Sequence, residues 1–163
     1  MSNRKNAPDR KILLIVRHAH RDTRDKSLDN GLSKKGRRQA KALRDFFSRK
    51  LSEKELPRDS RALRILSSAK KRCIETVEPM AKAAKVGVGI ERLLIEQQDG
   101  ESRHAFKRRV RAFAAKWRKS PMPCTMICSH GDWIPELTAE LLGYELEFEK
   151  GAWGEIVLER GTE

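Results

Sequence analysis

Ile12-Leu13-Leu14-Ile15-Val16 is a run of five apolar residues followed at once by Arg17-His18-Ala19-His20-Arg21. The run lacks the alternation of a half-exposed strand, so it reads as a strand covered on both faces, the environment of a parallel sheet with helices above and below. Residues 63–66 form a second run of this kind, and Thr125-Met126-Ile127-Cys128 the clearest third. Residues 155–159 alternate, which places them nearer an edge, and residues 86–90 are weaker because two glycines interrupt them.

Helical periodicity fills the intervals. Ala40, Leu43, Phe47 and Leu51 make one stripe, and Cys73 or Ile74, Val77, Met80 or Ala81, and Ala84 make another. Phe106, Val110, Phe113 and Trp117 line a third helix. Its other faces carry Arg103, Lys107, Arg108, Arg109, Arg111, Lys116, Arg118 and Lys119. Ile134, Leu137 and Leu141 mark a short last helix, with Asp132 at its cap and Pro135 in its first turn. Strands alternating with helices predict an α/β domain layered around a mostly parallel sheet. One domain over residues 11–163 follows, with residues 1–10 as a polar, flexible leader and residues 52–61 as a polar loop.

The chain carries 36 Lys and Arg against 23 Asp and Glu, a net charge of +13. The charge is lopsided: eight Glu against Lys150 and Arg160 make residues 136–163 acidic, so an acidic partner is expected to meet the first five-sixths. No stretch reaches the ~20 apolar residues of a membrane span, and no apolar signal core precedes the first strand, which points to a cytoplasmic protein without a membrane partner. Cys73, Cys124 and Cys128 form no Cys-x-x-Cys pair and have no histidine at zinc spacing, so they read as reduced, partly buried thiols with no metal.

In open parallel sheets ligands gather beyond the carboxyl ends of the strands. Those ends are rich here. Arg17, His18, His20 and Arg21 follow the first run; Ser67, Ser68, Lys70, Lys71 and Arg72 follow the second; Ser129, His130, Gly131 and Asp132 follow the third. Phosphate explains this set. Arginine offers a planar fork of donors to phosphate oxygens, and surrounding cations keep an imidazole neutral and therefore nucleophilic. A second imidazole can stabilise the transferring phosphoryl group.

Arg17-His18-Ala19, residues 32–40 (Leu-Ser-Lys-Lys-Gly-Arg-Arg-Gln-Ala), residues 67–76 (Ser-Ser-Ala-Lys-Lys-Arg-Cys-Ile-Glu-Thr) and Ser129-His130-Gly131 resemble, in order and approximate spacing, the signatures of the histidine phosphatase (phosphoglycerate mutase-like) superfamily. Ala19 departs from the Gly common at that place. The resemblance implies a three-layer α/β/α sandwich and no cofactor. It implies that His18 is the phosphorylated nucleophile, that Arg17 and Arg72 clamp phosphate, and that His130 completes the pocket. Gly131, His20, Arg21 and Ser68 are the further candidates for substrate contact. Glu96 is the nearest match to the carboxylic acid with which ester-cleaving members protonate the leaving group. Short length, the Arg-His-Ala start and residues 148–152 are most similar to the small bacterial phosphohistidine phosphatase branch, which makes the expected substrate a phosphohistidine protein or a small phosphate ester. The alternatives are a non-catalytic basic module that binds nucleic acid or phosphoprotein, with nucleic acid the less favoured partner, and a phosphoglycerate mutase-type phosphotransferase. Oligomeric state is not legible in the residues.

Overall fold

The computed structural model describes residues 10–57 and 61–159. Among the described residues five strands, β1 (Arg10–Arg17), β2 (Leu63–Ser67), β3 (Val88–Ile90), β4 (Cys124–Ser129) and β5 (Trp153–Glu159), form one sheet in the order β3-β2-β4-β1-β5, with β1 to β4 parallel and β5 antiparallel to β1 at the edge. α1 (Lys34–Ser52) and α2 (Lys71–Ala84) cover one face; α3 (Arg103–Lys119) and α4 (Trp133–Leu142) cover the other. The molecule is the three-layer α/β/α sandwich that the alternating pattern calls for.

The unbroken apolar run of β1 has a direct cause. Ile12, Leu14 and Val16 point into the α1/α2 layer with Phe47, Val77 and Met80, while Leu13 and Ile15 point into the α3/α4 layer with Phe106, Phe113 and Trp133. Both faces of the strand are thus dry, and alternation would have buried polar groups. β5, at the edge, is covered less: Ile156 alone is buried, in the α3/α4 layer, while Trp153 packs half-buried against Phe46 and Phe47 of α1 on the other face.

Three local expectations need correction. Residues 1–9 of the expected leader lie outside the described residues, and Arg10 already belongs to β1, opposite Glu159. The polar loop is shorter than read, because α1 runs through Ser52; residues 58–60 of it lie outside the described residues. Asp132 stands at the start of α4 but does not cap it: its carboxylate accepts from the Gln97 backbone N–H at 2.9 Å instead.

The charge asymmetry also resolves in space. Buried Glu136 of α4 pairs with Arg103 and, at 3.8 Å, with Lys107 of α3; Glu140 pairs with Arg111 at 3.3 Å and Arg118 at 3.8 Å. Lys116 reaches Glu91 at 2.5 Å. Much of the basic face of α3 is therefore neutralised within the fold, in good part by the acidic final stretch. No helix among the described residues is long and apolar enough to cross a membrane.

Candidate active site

β1, β4 and β2 end side by side, and a cleft of about 520 Å³ opens beyond them, lined by Arg17, His18, Arg21, Arg72, Glu96, His130, Gly131 and Asp132 together with residues 147–150. Register creates this meeting point. Arg17 pairs with Ser129 across β1 and β4, and the His18 N–H donates to the Ser129 carbonyl at 3.0 Å. His18 and His130 consequently face each other with ring centroids 5.4 Å apart.

The floor is buried: His18 is 6%, Arg72 5% and His130 2% exposed. His18 Nδ1 lies 2.8 Å from the Ala19 carbonyl. A carbonyl only accepts, so Nδ1 carries the proton and Nε2 keeps its lone pair. Burial, reinforced by the charges of Arg72, Arg17 and Lys150 against the opposing pull of the Ala19 carbonyl, lowers the His18 pKa from 6.5 to about 4. The ring is neutral at neutral pH.

His130 is held from the opposite side of its ring. Nε2 lies 2.9 Å from Ser68 Oγ and 3.5 Å from Cys73 Sγ; Nδ1 lies 3.3 Å from an Arg72 guanidinium nitrogen and 3.3 Å from Glu96 Oε2. The Glu96 carboxylate beside Nδ1 favours a proton on that nitrogen. The Ser68 hydroxyl donates to Nε2, and both Nδ1–H and Arg72 donate to the Glu96 carboxylate. Burial first, then Arg72, His18, Lys70 and Arg17, brings the His130 pKa down to about 2.

The guanidinium groups are placed by backbone. Arg17 donates to the Phe148 carbonyl at 2.5 Å and lies over Gly131, where an added Cβ would come within 2.6 Å of its Cζ. Glycine after His130 therefore gives the Arg17 plane its room. Arg72, from the first turn of α2, contacts Glu96 and reaches Asp29 at 3.9 Å rather than the glutamates of its own helix. The Nε atoms of both arginines are buried without a hydrogen-bond partner. Two unmet cationic donors at the floor of a cleft are what an anion would satisfy.

The structure brings together Arg17, His18, Arg72, His130, Glu96, Gly131 and Arg21 of the residues singled out by sequence. Ser68 lies fully buried behind His130, where it orients the ring. His20 is set apart: its Nδ1 lies 2.8 Å from Ser33 Oγ at the start of α1, in a neighbouring depression. The reason is close packing. The His20 carbonyl accepts from the Ser33 N–H at 3.0 Å and crowds Gly36, where a Cβ would stand 2.0 Å away, so the chain turns off the cleft at this residue.

Sequence reading missed Arg109. Its guanidinium donates to the carbonyls of Leu93 (3.0 Å), Ile95 (2.6 Å) and Glu96 (3.1 Å) and pairs with Glu101 at 2.8 Å, which fixes the loop that presents Glu96. A signal was there. Arg109 falls three residues after Phe106 and four before Phe113, on the inward stripe of α3, and its guanidinium lies 5.1 Å from the Phe106 ring.

Solved structures share this architecture. A phosphoglycerate mutase from Bacillus anthracis str. Sterne aligns with a TM-score of 0.72 at 15% identity, over 94% of this chain and 90% of that one. A protein proposed to be an alpha-ribazole-5'-P phosphatase, from Escherichia coli str. K-12, gives 0.71 at 18% identity over 92% and 91%. A mycobacterial glucosyl-3-phosphoglycerate phosphatase gives 0.67 at 19% identity over 91% and 90%. At such identities the likeness establishes a phosphoglycerate mutase-like fold. No curated protein matches the chain. Residues 13–100, which span β1 to the Glu96 loop and more than half of the sequence, match the histidine phosphatase superfamily (branch 1), and the chain belongs to that family.

Proposed function

We propose that the protein is a metal-independent, cytoplasmic phosphatase that works through a phosphohistidine at His18, on a phosphohistidine or a small phosphate ester. The observation that carries this reading is the His18 ring itself: Nδ1 is committed to the Ala19 carbonyl, Nε2 is free, and burial keeps the ring unprotonated between two arginines with unmet donors. Nε2 attacks phosphorus in line with the leaving group. The N–P bond forms as the P–O or P–N bond to the substrate breaks, and Arg17, Arg72 and His130 Nδ1–H hold the equatorial oxygens through the transition state. Glu96 takes the proton that a monoanionic phosphate ester brings into the cleft and passes it to the departing alkoxide. Water then attacks the phosphoenzyme, the N–P bond breaks, both protons of the water leave with the released phosphate, and neutral His18 is restored. Positive charge that other phosphatases draw from metal ions is supplied here by the guanidinium pair. The ion pairing of α3 with Glu136, Glu140 and Glu91 supports the enzyme over a basic binding module, since those cations are already engaged.

Chelator-treated protein incubated with labelled p-nitrophenyl phosphate tests the proposal. A covalent phosphoenzyme that survives base and is lost in acid is expected, with turnover intact. Turnover that appears only after a divalent metal is added, or label that is stable in acid and lost in base, would sink it.

A further inference from the structure

The acidic final stretch is not used evenly. Glu136 and Glu140 pair with α3, and Glu155 pairs with Arg10 at 3.8 Å. Glu145, Glu147 and Glu149 make no ion pair among the described residues, and all three are exposed. They alternate with Tyr144, Leu146 and Phe148. Tyr144 is 58% and Leu146 38% exposed; with Leu142, three of the six large exposed hydrophobic side chains among the described residues fall within residues 142–146. Exposed apolar side chains gathered in one segment offer a docking surface.

This strip is held in place. The Leu146 N–H donates to Thr138 Oγ1 at 2.9 Å, the Phe148 carbonyl receives Arg17, and the Phe148 ring packs on the α3/α4 core. It also runs into the cleft, where Glu147, Phe148 and Glu149 are lining residues. On a chain of net charge +13, this strip thus brings the unpaired carboxylates of Glu147 and Glu149 to the cleft beside Lys150 and Arg21, while Arg17 and Arg72 lie at its floor. An acidic segment lying along the strip would meet repulsion from Glu145, Glu147 and Glu149. A phosphoryl group flanked by positive charge would meet attraction at both depths.

We infer that residues 144–149 dock a peptide segment of a phosphoprotein substrate whose phosphorylated residue is flanked by basic and apolar side chains. The inference rests on the phosphatase reading and adds its substrate class. The length of the strip beyond the cleft selects a peptide over a small ester, and charge complementarity selects a basic one. Each exposed carboxylate contributes a few-fold, so three together give roughly tenfold in kcat/KM, more at low salt than at high.

The test compares kcat/KM for phosphotyrosine and phosphohistidine peptides flanked either by Lys and Leu or by Glu and Ser, with p-nitrophenyl phosphate as the reference substrate. About tenfold preference for basic-apolar flanks is expected in at least one series, falling to about threefold in a Tyr144→Ser/Glu145→Gln/Leu146→Ser variant, which leaves Glu147 and Glu149 in place, when each rate is divided by the reference rate. Equal rates for both flanks, a preference undiminished in the variant, or hydrolysis of the reference alone would overturn the inference while leaving the phosphatase standing. Absence of flank preference together with a dimer that the same variant dissolves would assign the strip to a second copy. Failure to turn over p-nitrophenyl phosphate or form a phosphoenzyme would remove the phosphatase reading itself.

Discussion

β1 and β4 are neighbours in the sheet, run parallel, and each delivers a histidine from its carboxyl end to the same cleft. The two rings nevertheless cannot exchange roles. His18 spends Nδ1 on the carbonyl of the next residue, a partner that is part of its own backbone, and offers a bare Nε2. His130 spends Nε2 on Ser68, a side chain from the end of β2, and turns Nδ1 toward Arg72 and Glu96. One is left with a bare lone pair and the other with an N–H to donate, which under the proposed mechanism makes the first the nucleophile toward phosphorus and the second a donor to phosphoryl oxygen. Two residues of the same type, equally buried, are differentiated by which ring nitrogen the surrounding fold consumes.

The strongest way to break this comparison is to remove the first ring. His18→Ala should abolish both turnover and the acid-labile phosphoenzyme, because no neighbouring group presents a free lone pair at that place. Normal turnover by a folded His18→Ala protein, or a phosphoenzyme that persists on another residue, would end the mechanism. The second ring should behave otherwise. Its loss removes a donor and leaves the nucleophile in place.

Under the proposed mechanism Glu96 separates substrates rather than steps. An alkyl phosphate expels an alkoxide that needs a proton, whereas phosphohistidine expels an imidazole whose reference pKa is about 6.5. Glu96→Gln should slow an alkyl phosphate by ~10² to 10⁴, the usual contribution of a positioned general acid, and a phosphohistidine peptide far less. Equal losses on both substrates would take Glu96 out of proton transfer and make it a spacer between Arg72 and His130.

His130→Ala should cost ~10² to 10³ in rate with phosphoenzyme still detectable, the signature of a lost transition-state donor. Ser68→Ala sharpens the contrast: freeing Nε2 loosens the ring and should cost about tenfold, the worth of one hydrogen bond. If Ser68→Ala matched His130→Ala, the serine would belong to the phosphate site itself. Thermal unfolding of each variant distinguishes lost chemistry from a damaged core.

How much of this was legible in the residues follows from what each one depends on. β1 announces itself because burial on both faces leaves a mark at every position, and the strand ends carry His18 and His130 directly after such marks. Gly131 is legible through its place in the Ser-His-Gly motif. Its physical role, making room for the Arg17 plane, needs coordinates. His20 shows the limit: two residues after His18 it has the same composition of neighbours, yet the crowding of Gly36 against its carbonyl carries it into another depression. Arg109 was read as one more cation on a solvated face because charge hid its position on the inward stripe. The acidic stretch was legible as charge but not as place, since nothing in a linear count tells that Glu136 folds back onto α3 while Glu147 and Glu149 reach the cleft.

The smallest expected effect tests the origin of His18 neutrality without any substrate. In the fold the His18 pKa is about 4, against 6.5 for a free imidazole, with burial the first cause. Below pH 6.5 the unfolded chain therefore takes up a proton that the folded chain refuses, so ∂ΔG/∂pH is positive and stability falls as pH drops from 6.5 toward 4. Between pH 7 and pH 5 this single ring should remove about 2 kcal/mol, and His130, with a pKa near 2, a similar amount. Carboxylates elsewhere in the molecule also contribute, and they are common to wild type and variant. His18→Asn, which keeps a small polar group at the site but cannot titrate, should therefore lose about 2 kcal/mol less than wild type over the same interval in urea unfolding. Parallel losses in the two proteins would mean that His18 titrates as a free imidazole does. Nε2 would then be bare only above pH 6.5, and the buried strand end could not be what makes this histidine a nucleophile.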